Sequence, residues 1–477
     1  MPYGVEYMDK PKDECGVFGI YGPGKKVSRA TYFGLHALQH RGQESAGIAV
    51  SDFKEVKLHK GMGLVTEVFN EGILDSLAGD LAVGHVRYST TGSSSITNAQ
   101  PLVFRYKWGV AALAHNGNLT NSGRLAKELG AQGAIFQSTS DTEVFANLLA
   151  RCGEDEIEPA ICKGISDLRG AYSMVIMTRD KLIGLRDPQG VRPLCMGVLD
   201  GAYVLASESC ALNTVGAVFE RDIEPGEMVV VDSRGVRSVQ TGSEDRQGRC
   251  IFEYVYLARP DSTIDGRNVN LVRLEMGKQL ARERPIEADM VIAVPDSGTT
   301  AALGYARETG LPFMQGLIKN RYVGRTFIQP SQRMRDLGVR LKLNPVREIL
   351  NGKRVVMLDD SIVRGTTSRK IVQMVRDAGA TQVHMLVSSP PITHSCFYGI
   401  DTSSRDELIA SKKSVGEICR HICADSLYYL SLDGLLSAVN IPRNKTCVAC
   451  FNGDYPIEIG DAESTDKFVF EKGCCGG

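Results

Sequence analysis

The sequence lacks a long hydrophobic run, an excess of charge of either sign and a recognisable targeting segment. No apolar stretch of the 477 residues approaches the ~18 residues of a membrane-spanning helix. The 55 Lys and Arg nearly balance the 56 Asp and Glu, so no basic surface for nucleic acid is predicted. Residues 1–14 have neither an apolar core nor an Arg-rich, acid-poor composition, unlike secretory signals and transit peptides. We therefore expect a cytoplasmic protein that binds neither membrane nor nucleic acid.

Cysteine, in contrast, is abundant. The chain has 13 cysteines, an odd number, and few of them lie close together in sequence. A chain of this length in a reducing compartment does not need a disulfide framework. Some of these thiols are therefore expected to do chemistry or to bind metal.

The chain divides into two regions of different pattern. Residues 15–240 contain short apolar stretches broken by glycine, which predict strands with helices between them, including helices over 28–39 and 141–152. A polar stretch at 241–248 is a plausible linker. Strand–loop–helix units follow, with strands expected at 290–294, 355–358 and 383–387. Such alternation indicates a parallel sheet whose ligands bind at the carboxyl ends of the strands.

Cys15 begins the first apolar strand, CGVFGI, behind 14 mostly polar residues. By itself, a cysteine before a glycine is also typical of a buried structural thiol. Four further segments place arginine, carboxylate and turn glycines between apolar strands: QHRGQESAG, GHVRYSTTG, LAHNGNL and STSDTE. These segments make a purely structural role for Cys15 less favoured than the cysteine alone would indicate.

In this order the segments resemble the class II glutamine amidotransferase domain, an N-terminal-nucleophile hydrolase. The resemblance implies an αββα sandwich and removal of residues 1–14, so that Cys15 attacks the glutamine amide with its own α-amine as base. It implies that Arg87 binds the α-carboxylate of glutamine and Asp141 the α-ammonium. It also implies that Asn116 and the N–H of Gly117 form the oxyanion hole. His85 and His115 are interpreted as hydrogen-bonding residues rather than catalysts.

The segment VVMLDDSIVRGTT (355–367) joins an apolar strand to two acids and then to a glycine- and hydroxyl-containing loop. Acids at a strand end are costly to bury unless they bind something. Free N–H groups at the start of the next helix favour an anion. The loop lacks GxxxxGK[ST], so it is not the phosphate loop of nucleoside triphosphatases.

This loop resembles the phosphoribosyl pyrophosphate signature of type I phosphoribosyltransferases. The resemblance implies that Asp359 and Asp360 hold the ribose hydroxyls and the shell of Mg²⁺, with Ser297 of the VPDSG loop also near the metal. Other residues would bind the substrate's phosphates: Val363, Arg364, Gly365, Thr366 and Thr367 the 5-phosphate, and Lys319, Arg321 and Arg325, in a mobile lid, the diphosphate.

A further motif, Cys447-x₂-Cys450, is commonly a zinc site in a cytosolic protein but needs two more ligands. Sequence spacing does not show which cysteines join it. The segments around Cys250 and Cys396 resemble those of the iron–sulphur branch of the glutamine phosphoribosylpyrophosphate amidotransferase family. This resemblance implies a [4Fe–4S] cluster on the thiolates of Cys250, Cys396, Cys447 and Cys450. Zinc and free thiols stay as alternatives. The last 40 or so residues are expected to form a loosely held tail.

Taken together, the two halves resemble the glutamine phosphoribosylpyrophosphate amidotransferase family, in its iron–sulphur, propeptide-bearing branch. The resemblance implies the first committed step of purine synthesis, with ammonia channelled between two sites. It implies one Mg²⁺ and one [4Fe–4S] cluster per subunit, inhibition by AMP, GMP, ADP and GDP, and a homotetramer. The predicted divisions are a propeptide (1–14), a glutaminase domain (15–245), a phosphoribosyltransferase domain (246–440) and a tail (441–477).

Two alternatives stay open at this point. One is an amidotransferase that delivers ammonia to another acceptor, such as a sugar phosphate, although the loop at 355–367 does not fit the domains that such enzymes need. The other is a non-catalytic sensor of phosphoribosyl pyrophosphate or purine nucleotides that retains an inactive glutaminase. The joint presence of Cys15, Arg87, Asn116 and Asp141 argues against the sensor.

Overall fold

The computed structural model describes residues 15–88, 94–107, 109–242, 246–320, 342–402 and 405–460. Within these ranges, no helix is both long and apolar enough to cross a bilayer. The predicted propeptide, Arg321, Arg325 and the two terminal cysteines, Cys474 and Cys475, lie outside the described residues.

Two antiparallel sheets dominate the first half of the chain. The seven-stranded sheet has the order β11-β9-β10-β1-β4-β2-β3, and the six-stranded sheet has the order β13-β12-β8-β7-β6-β5. Their strands are β1 Gly16–Tyr21, β2 Ser45–Ser51, β3 Val56–Met62, β4 Leu81–Arg87, β5 Leu102–Tyr106, β6 Gly109–Leu119, β7 Gly170–Met177, β8 Leu182–Arg186, β9 Cys195–Leu199, β10 Ala202–Ala206, β11 Val218–Asp222, β12 Glu227–Asp232 and β13 Gly235–Gln240.

The two sheets pack face to face, and helices cover both outer surfaces. Apolar side chains that alternate along the strands, such as Val83 and Val175, form one core between the sheets. A second core joins the seven-stranded sheet to α1, α2, α3 and α7, and a third joins the six-stranded sheet to α4, α5 and α6. The helices are α1 Val27–Ala37, α2 Val65–Val68, α3 Glu71–Ser76, α4 Ser122–Ala131, α5 Asp141–Arg151, α6 Ile157–Ser166 and α7 Ser209–Val215. The predicted αββα sandwich is confirmed.

The second half contains a four-stranded parallel sheet of order β17-β20-β21-β22. Its strands are β17 Met290–Ala293, β20 Arg354–Asp359, β21 Gln382–Val387 and β22 Ser426–Tyr429. The strands are apolar on both faces because helices cover both sides. One face packs against α8 Val269–Glu283, α9 Thr299–Thr309 and α14 Leu432–Val439, and the other against α11 Thr366–Asp377 and α13 Val415–Ile422. The expected parallel sheet is also confirmed.

Short elements complete this half. Three two-stranded sheets pair β14 Arg249–Cys250 with β23 Thr446–Cys447, β15 Thr263–Ile264 with β16 Arg267–Asn268, and β18 Leu317–Lys319 with β19 Leu343–Pro345. The remaining α-helices are α10 Arg347–Leu350, α12 Ile409–Lys412 and α15 Ala449–Asn452. A π-helical turn spans Glu253–Leu257, and 3₁₀ turns span Ile96–Asn98, Arg405–Glu407 and Arg443–Lys445.

The expectation of a loosely held tail is wrong for residues 441–460. Cys447 pairs in register with Cys250, and Phe451 and Ile457 are buried in the core beneath the parallel sheet. The sequence pattern was misleading because this segment is short of regular secondary structure and holds its place through tertiary contacts. Burial of its apolar side chains makes it a structural part of the molecule.

The close packing of α8 against α9 yields a prediction. A Cβ atom at Gly304 would strike the carbonyl of Leu274 on the facing helix. Gly304→Ala is therefore expected to lower the free energy of unfolding by about 1–3 kcal/mol, because it pushes the helices apart. Gly130→Ala in α4 is the matched control, since its Cβ would meet open space, and it should be neutral or stabilise by up to about 1 kcal/mol. Denaturant unfolding of both variants measures the difference, and equal effects would contradict the packing argument.

Candidate active site

Cys15 lies directly before β1, between the two sheets. It is 7% exposed, and its thiol donates a 3.4 Å hydrogen bond to the carbonyl of Tyr88. Burial raises the pKa of the Cys15 thiol to about 11, although the Tyr88 backbone and the charge of Arg87 act in the opposite direction. The thiol is therefore protonated at neutral pH, and its use as a nucleophile needs a base close by.

Arg87 ends β4, directly beside the strand that Cys15 begins. Its guanidinium is buried and pairs with the Glu44 carboxylate at 2.6 Å. Glu44 was not predicted as a site residue, although it lies within the QHRGQESAG segment. Because β2 and β4 are neighbours, Glu44 lies beside Arg87 and holds its side chain at the site.

Asp141 begins α5, where the helix dipole favours a carboxylate. Its Oδ2 accepts a 3.0 Å hydrogen bond from the N–H of Leu119, and its Oδ1 lies 3.5 Å from Nδ1 of His115. Burial acts to raise the pKa of Asp141, but the charge and hydrogen bonds of these neighbours lower it below its ordinary value. Asp141 is thus a buried anion, and His115 lies directly beside it.

Asn116 lies on β6 and has no exposed surface. Among the described residues, neither its amide nitrogen nor its amide oxygen has a hydrogen-bond partner. Other buried polar atoms without a described partner lie on the facing inner strands: Ser45 Oγ on β2, His85 Nδ1 on β4, and His115 Nε2 and Ser173 Oγ on β6 and β7. Buried polar groups normally bond, so such a concentration marks a place where a polar ligand supplies the partners.

Gly117 follows Asn116 at a position that excludes any side chain. Its φ is +139°, and a Cβ would strike the carbonyl of Ala171 on β7. Gly399, from the other half of the chain, would place a Cβ only 3.2 Å from the Gly117 Cα. The Asn118 amide also donates to the carbonyl of Phe397 at 2.9 Å. The strand that carries Asn116 and Gly117 therefore touches residues 397–399 directly.

The second cluster of polar residues lies at the carboxyl end of the parallel sheet. Asp359 ends β20, and both it and Asp360 are at most 2% exposed. The Asp360 N–H donates to the Asp359 carboxylate at 2.9 Å, and the Ser361 hydroxyl donates to Asp360 at 2.7 Å. Asp359 and Asp360 thus form an acidic turn at the edge of the sheet where parallel-sheet proteins bind their ligands.

The loop after this turn opens α11. Gly365 has a φ of +80°, which a residue with a side chain rarely adopts, and Thr366 begins the helix. The N–H groups of this first turn point out of the helix end and make it suitable for a phosphate. Val363 is buried, whereas Arg364 forms an exposed ion pair with Glu407 that sequence analysis did not anticipate.

The VPDSG loop lies beside this turn. The Val294 N–H donates to the Leu358 carbonyl at 2.8 Å, and a Cβ at Gly298 would touch that same carbonyl. Lys319 reaches the loop through a 2.8 Å ion pair with Asp296, the neighbour of Ser297. The structure therefore brings Ser297, Lys319 and the acidic turn to one edge of the parallel sheet.

The four cysteines at 250, 396, 447 and 450 also converge. Cys250 and Cys447 are paired across β14 and β23, and the charges of Cys396 and Cys447 act on both Cys250 and Cys450. Burial raises the pKa of Cys250 and Cys447 to about 12, and that of Cys450 also rises. Within the described ranges, no three His, Cys, Asp or Glu side chains are grouped as the ligands of one metal ion.

Comparison with known proteins shows the family of the chain. A family model described as a glutamine amidotransferase domain matches residues 85–214. The amidophosphoribosyltransferase of Bacillus subtilis (strain 168) is 53% identical over 452 residues, which cover 94% of this chain and 95% of the relative. The chain belongs to the amidophosphoribosyltransferase family. Its Synechocystis member is 51% identical over 477 residues, with 98% of this chain and 96% of the relative covered.

Solved structures of the amidophosphoribosyltransferase family agree across both halves. The B. subtilis glutamine phosphoribosylpyrophosphate amidotransferase, solved in complex with ADP and GMP, has a TM-score of 0.89 at 53% identity and covers 93% of this chain and 98% of its own. A structure described as the allosteric regulatory enzyme of purine biosynthesis has a TM-score of 0.90 at 53% identity and covers 93% of this chain and 97% of its own. The similarity therefore extends to the whole arrangement of the two halves.

The unpartnered amide of Asn116 gives a second prediction. Asn116→Ala is expected to leave the free energy of unfolding unchanged or raised, because no hydrogen bond within the described structure is lost. Glutamine hydrolysis should fall by about 10²–10³ in kcat, the usual cost of losing one oxyanion donor.

Chemical unfolding and glutamate release together check this prediction. Asn98→Ala is the stability control, because Asn98 is equally buried but exchanges hydrogen bonds of 2.8 and 2.9 Å with Thr139. A large loss of stability in Asn116→Ala with unchanged hydrolysis would contradict the catalytic assignment.

Proposed function

We propose that this protein converts glutamine, 5-phosphoribosyl 1-pyrophosphate and water into 5-phosphoribosylamine, glutamate and pyrophosphate, the first committed step of purine synthesis. The observation that carries the proposal is the direct contact of Gly117, beside the unpartnered Asn116 amide, with residues 397–399 of the other half. A glutamine site whose strand directly touches the phosphoribosyl half suits a reaction in which ammonia passes between the two halves.

The glutamine half-reaction uses the groups around Cys15. With residues 1–14 removed, the α-amine of Cys15 takes the thiol proton, and the sulphur attacks the side-chain amide carbon of glutamine. Arg87 and Asp141 hold the carboxylate and ammonium ends of the substrate. The Asn116 amide and the Gly117 N–H donate to the oxyanion, ammonia leaves, and water then hydrolyses the thioester to glutamate.

The phosphoribosyl half-reaction uses the edge of the parallel sheet. Asp359 and Asp360 accept hydrogen bonds from the ribose hydroxyls, while the loop from Val363 to Thr367 donates to the 5-phosphate. Lys319, with the predicted lid residues Arg321 and Arg325, binds the diphosphate. Ammonia attacks the anomeric carbon as pyrophosphate departs, and exclusion of water protects that carbon from hydrolysis.

The acidic turn at Asp359 and Asp360 is suited to Mg²⁺ bound in the way that enzymes acting on phosphates bind it. Mg²⁺ retains water and substrate oxygens and needs only one or two protein carboxylates. The paired carboxylates of Asp359 and Asp360, with the Ser297 hydroxyl at the same edge, fit that requirement. When bound, Mg²⁺ would neutralise charge on the diphosphate.

The four cysteines offer the ligand set of an iron–sulphur cluster. A [4Fe–4S] cluster spreads four thiolates over four irons. The charge of the buried Arg192 favours the thiolate forms of Cys250 and Cys447. The cluster would tie β14 to the C-terminal segment.

Regulation by purine nucleotides and a homotetrameric assembly are part of the proposal. The nucleotide part is supported by the B. subtilis relative, which was solved with ADP and GMP bound. AMP, GMP, ADP and GDP all carry the 5-phosphorylated ribose that the loop from Val363 to Thr367 is suited to bind. They would therefore compete with phosphoribosyl pyrophosphate.

Cys15→Ala tests the function directly. Without the thiol, pyrophosphate release driven by glutamine should fall by at least about 10³-fold, because no covalent intermediate forms. Pyrophosphate release driven by a high concentration of ammonium salt should stay within about twofold of wild type, since the ammonia site is separate. Both rates are measured on the same preparation with Mg²⁺ present.

Two controls sharpen this test. Cys195→Ala removes a buried thiol distant from the site and should affect neither rate. The double variant Asp359→Asn, Asp360→Asn should lose both rates, because both need the bound ribose. A Cys15→Ala protein that still releases pyrophosphate with glutamine would refute the proposal.

Cys447→Ser tests the cluster. Protein purified without oxygen should show iron and sulphide together with broad absorbance near ~400 nm, and Cys447→Ser should lose both. Cys210→Ser, a buried cysteine in the two-sheet half, is the control and should keep them. Zinc in place of iron in the wild-type protein, or full iron retained in Cys447→Ser, would contradict the assignment.

A further inference from the structure

The π-helical turn Glu253–Leu257 lies buried between the two halves of the molecule and bonds to both. Insertions of this kind are rare in helices and often lie at functional positions. Its first side chain points toward the glutamine half, and the carbonyl groups at and after the turn point toward the phosphoribosyl half.

Toward the glutamine half, Glu253 contacts two buried arginines from separate loops. Its carboxylate lies 2.5 Å from Arg41 and 3.5 Å from Arg192. Arg41 also pairs with Glu208, another fully buried carboxylate. Each of these charges depends on the others, because an unpaired charge is not tolerated in such an interior.

Arg41 is connected to the glutamine site through the next residue. Gly42 packs so closely on β4 that a Cβ there would lie 2.5 Å from the Val86 carbonyl carbon and 2.6 Å from the Arg87 nitrogen. The backbone at Arg41 and Gly42 is thus packed directly on the backbone of Arg87, which lies beside Cys15.

Toward the phosphoribosyl half, the turn is bonded to Arg273 of α8. The Arg273 guanidinium is buried and donates to the carbonyls of Tyr254 at 2.8 Å and Ala258 at 2.9 Å. Arg273 lies on α8, which packs so closely on α9 that a Cβ at Gly304 would strike the Leu274 carbonyl, and α9 begins directly after the loop that carries Ser297. The helix that packs against the start of this phosphoribosyl loop is thus bonded to the backbone of the same turn that carries Glu253.

We propose that Glu253 is a positioning residue that couples the two half-reactions: it links the phosphoribosyl pyrophosphate site, through Arg273 and the π-helical turn, to Arg41 and the glutamine-binding Arg87. Substrate bound at the Ser297 loop shifts α9 and, through the packing of α9 on α8, the Arg273 side chain and the turn bonded to it. This inference rests on the proposed function, since it concerns how one site of that reaction controls the other.

The test is the stimulation of glutamine hydrolysis by phosphoribosyl pyrophosphate with Mg²⁺, measured as glutamate release with and without them. Coupling between two sites commonly amounts to about 5–150-fold. Glu253→Gln keeps the shape of the side chain and should reduce the wild-type stimulation by at least about tenfold or abolish it. Ammonia-driven pyrophosphate release should stay within about twofold of wild type, and Glu253→Asp should restore part of the stimulation.

The matched control is Asp265→Asn. Asp265 forms a comparable buried pair between the two halves, with bonds of 2.9 and 3.0 Å to Arg186. It contacts neither Arg41 nor Arg273 in the described hydrogen bonds and ion pairs, and an asparagine tolerates its positive φ. Stimulation in this variant should equal that of the wild type. Iron content and the unfolding temperature are measured for every variant.

Three outcomes would overturn the inference: full stimulation in Glu253→Gln, an equal loss in Asp265→Asn, or a parallel fall of both activities of Glu253→Gln. If Glu253→Gln does not fold, Arg41→Lys decides, because it keeps the charge but cannot bridge both carboxylates. It should lose stimulation to the same extent, and a normal response would refute the coupling. A wild-type protein with no stimulation and no pyrophosphate release would instead refute the proposed function, and the inference with it.

Discussion

The buried ionic contact between the two halves is the constraint on which the rest of the structure depends. Arg41 and Arg192 on one side meet Glu253 on the other, and the Glu208 carboxylate completes the set. Charges in an interior of low dielectric are stable only when all partners are present in good geometry. The two halves are therefore held in one relative position, which the two active sites share.

Residues that do not optimise stability are concentrated at the proposed glutamine site. Asn116 has a buried amide without a described partner, and Cys15 is a thiol whose pKa burial has raised. Both features are unfavourable for the protein alone and become useful when a polar substrate enters a site sheltered from water. Gly117 also contacts Gly399, so the site is shielded from water as far as the boundary between the two halves.

The C-terminal segment shows why local pattern is an incomplete guide. It contains little regular secondary structure, yet Phe451 and Ile457 lie in the largest core of the phosphoribosyl half. β23 joins β14 through only two residues each, and that short pairing places Cys447 beside Cys250. A segment with weak preferences for helix or strand can thus be fixed in place by tertiary contacts with residues about 200 positions away in the sequence.

The sequence by itself determined the elements and the chemistry carried by short contiguous motifs. Strand and helix periodicity, the acidic turn at Asp359 and Asp360, and the cysteine at the start of β1 follow from local residue order. The tertiary structure alone decided the contacts between distant segments: Glu44 against Arg87, His115 against Asp141, and Glu253 between two arginines. The physical reason is that ion pairs and hydrogen bonds depend on distance in space, and a sequence without its fold does not specify that distance.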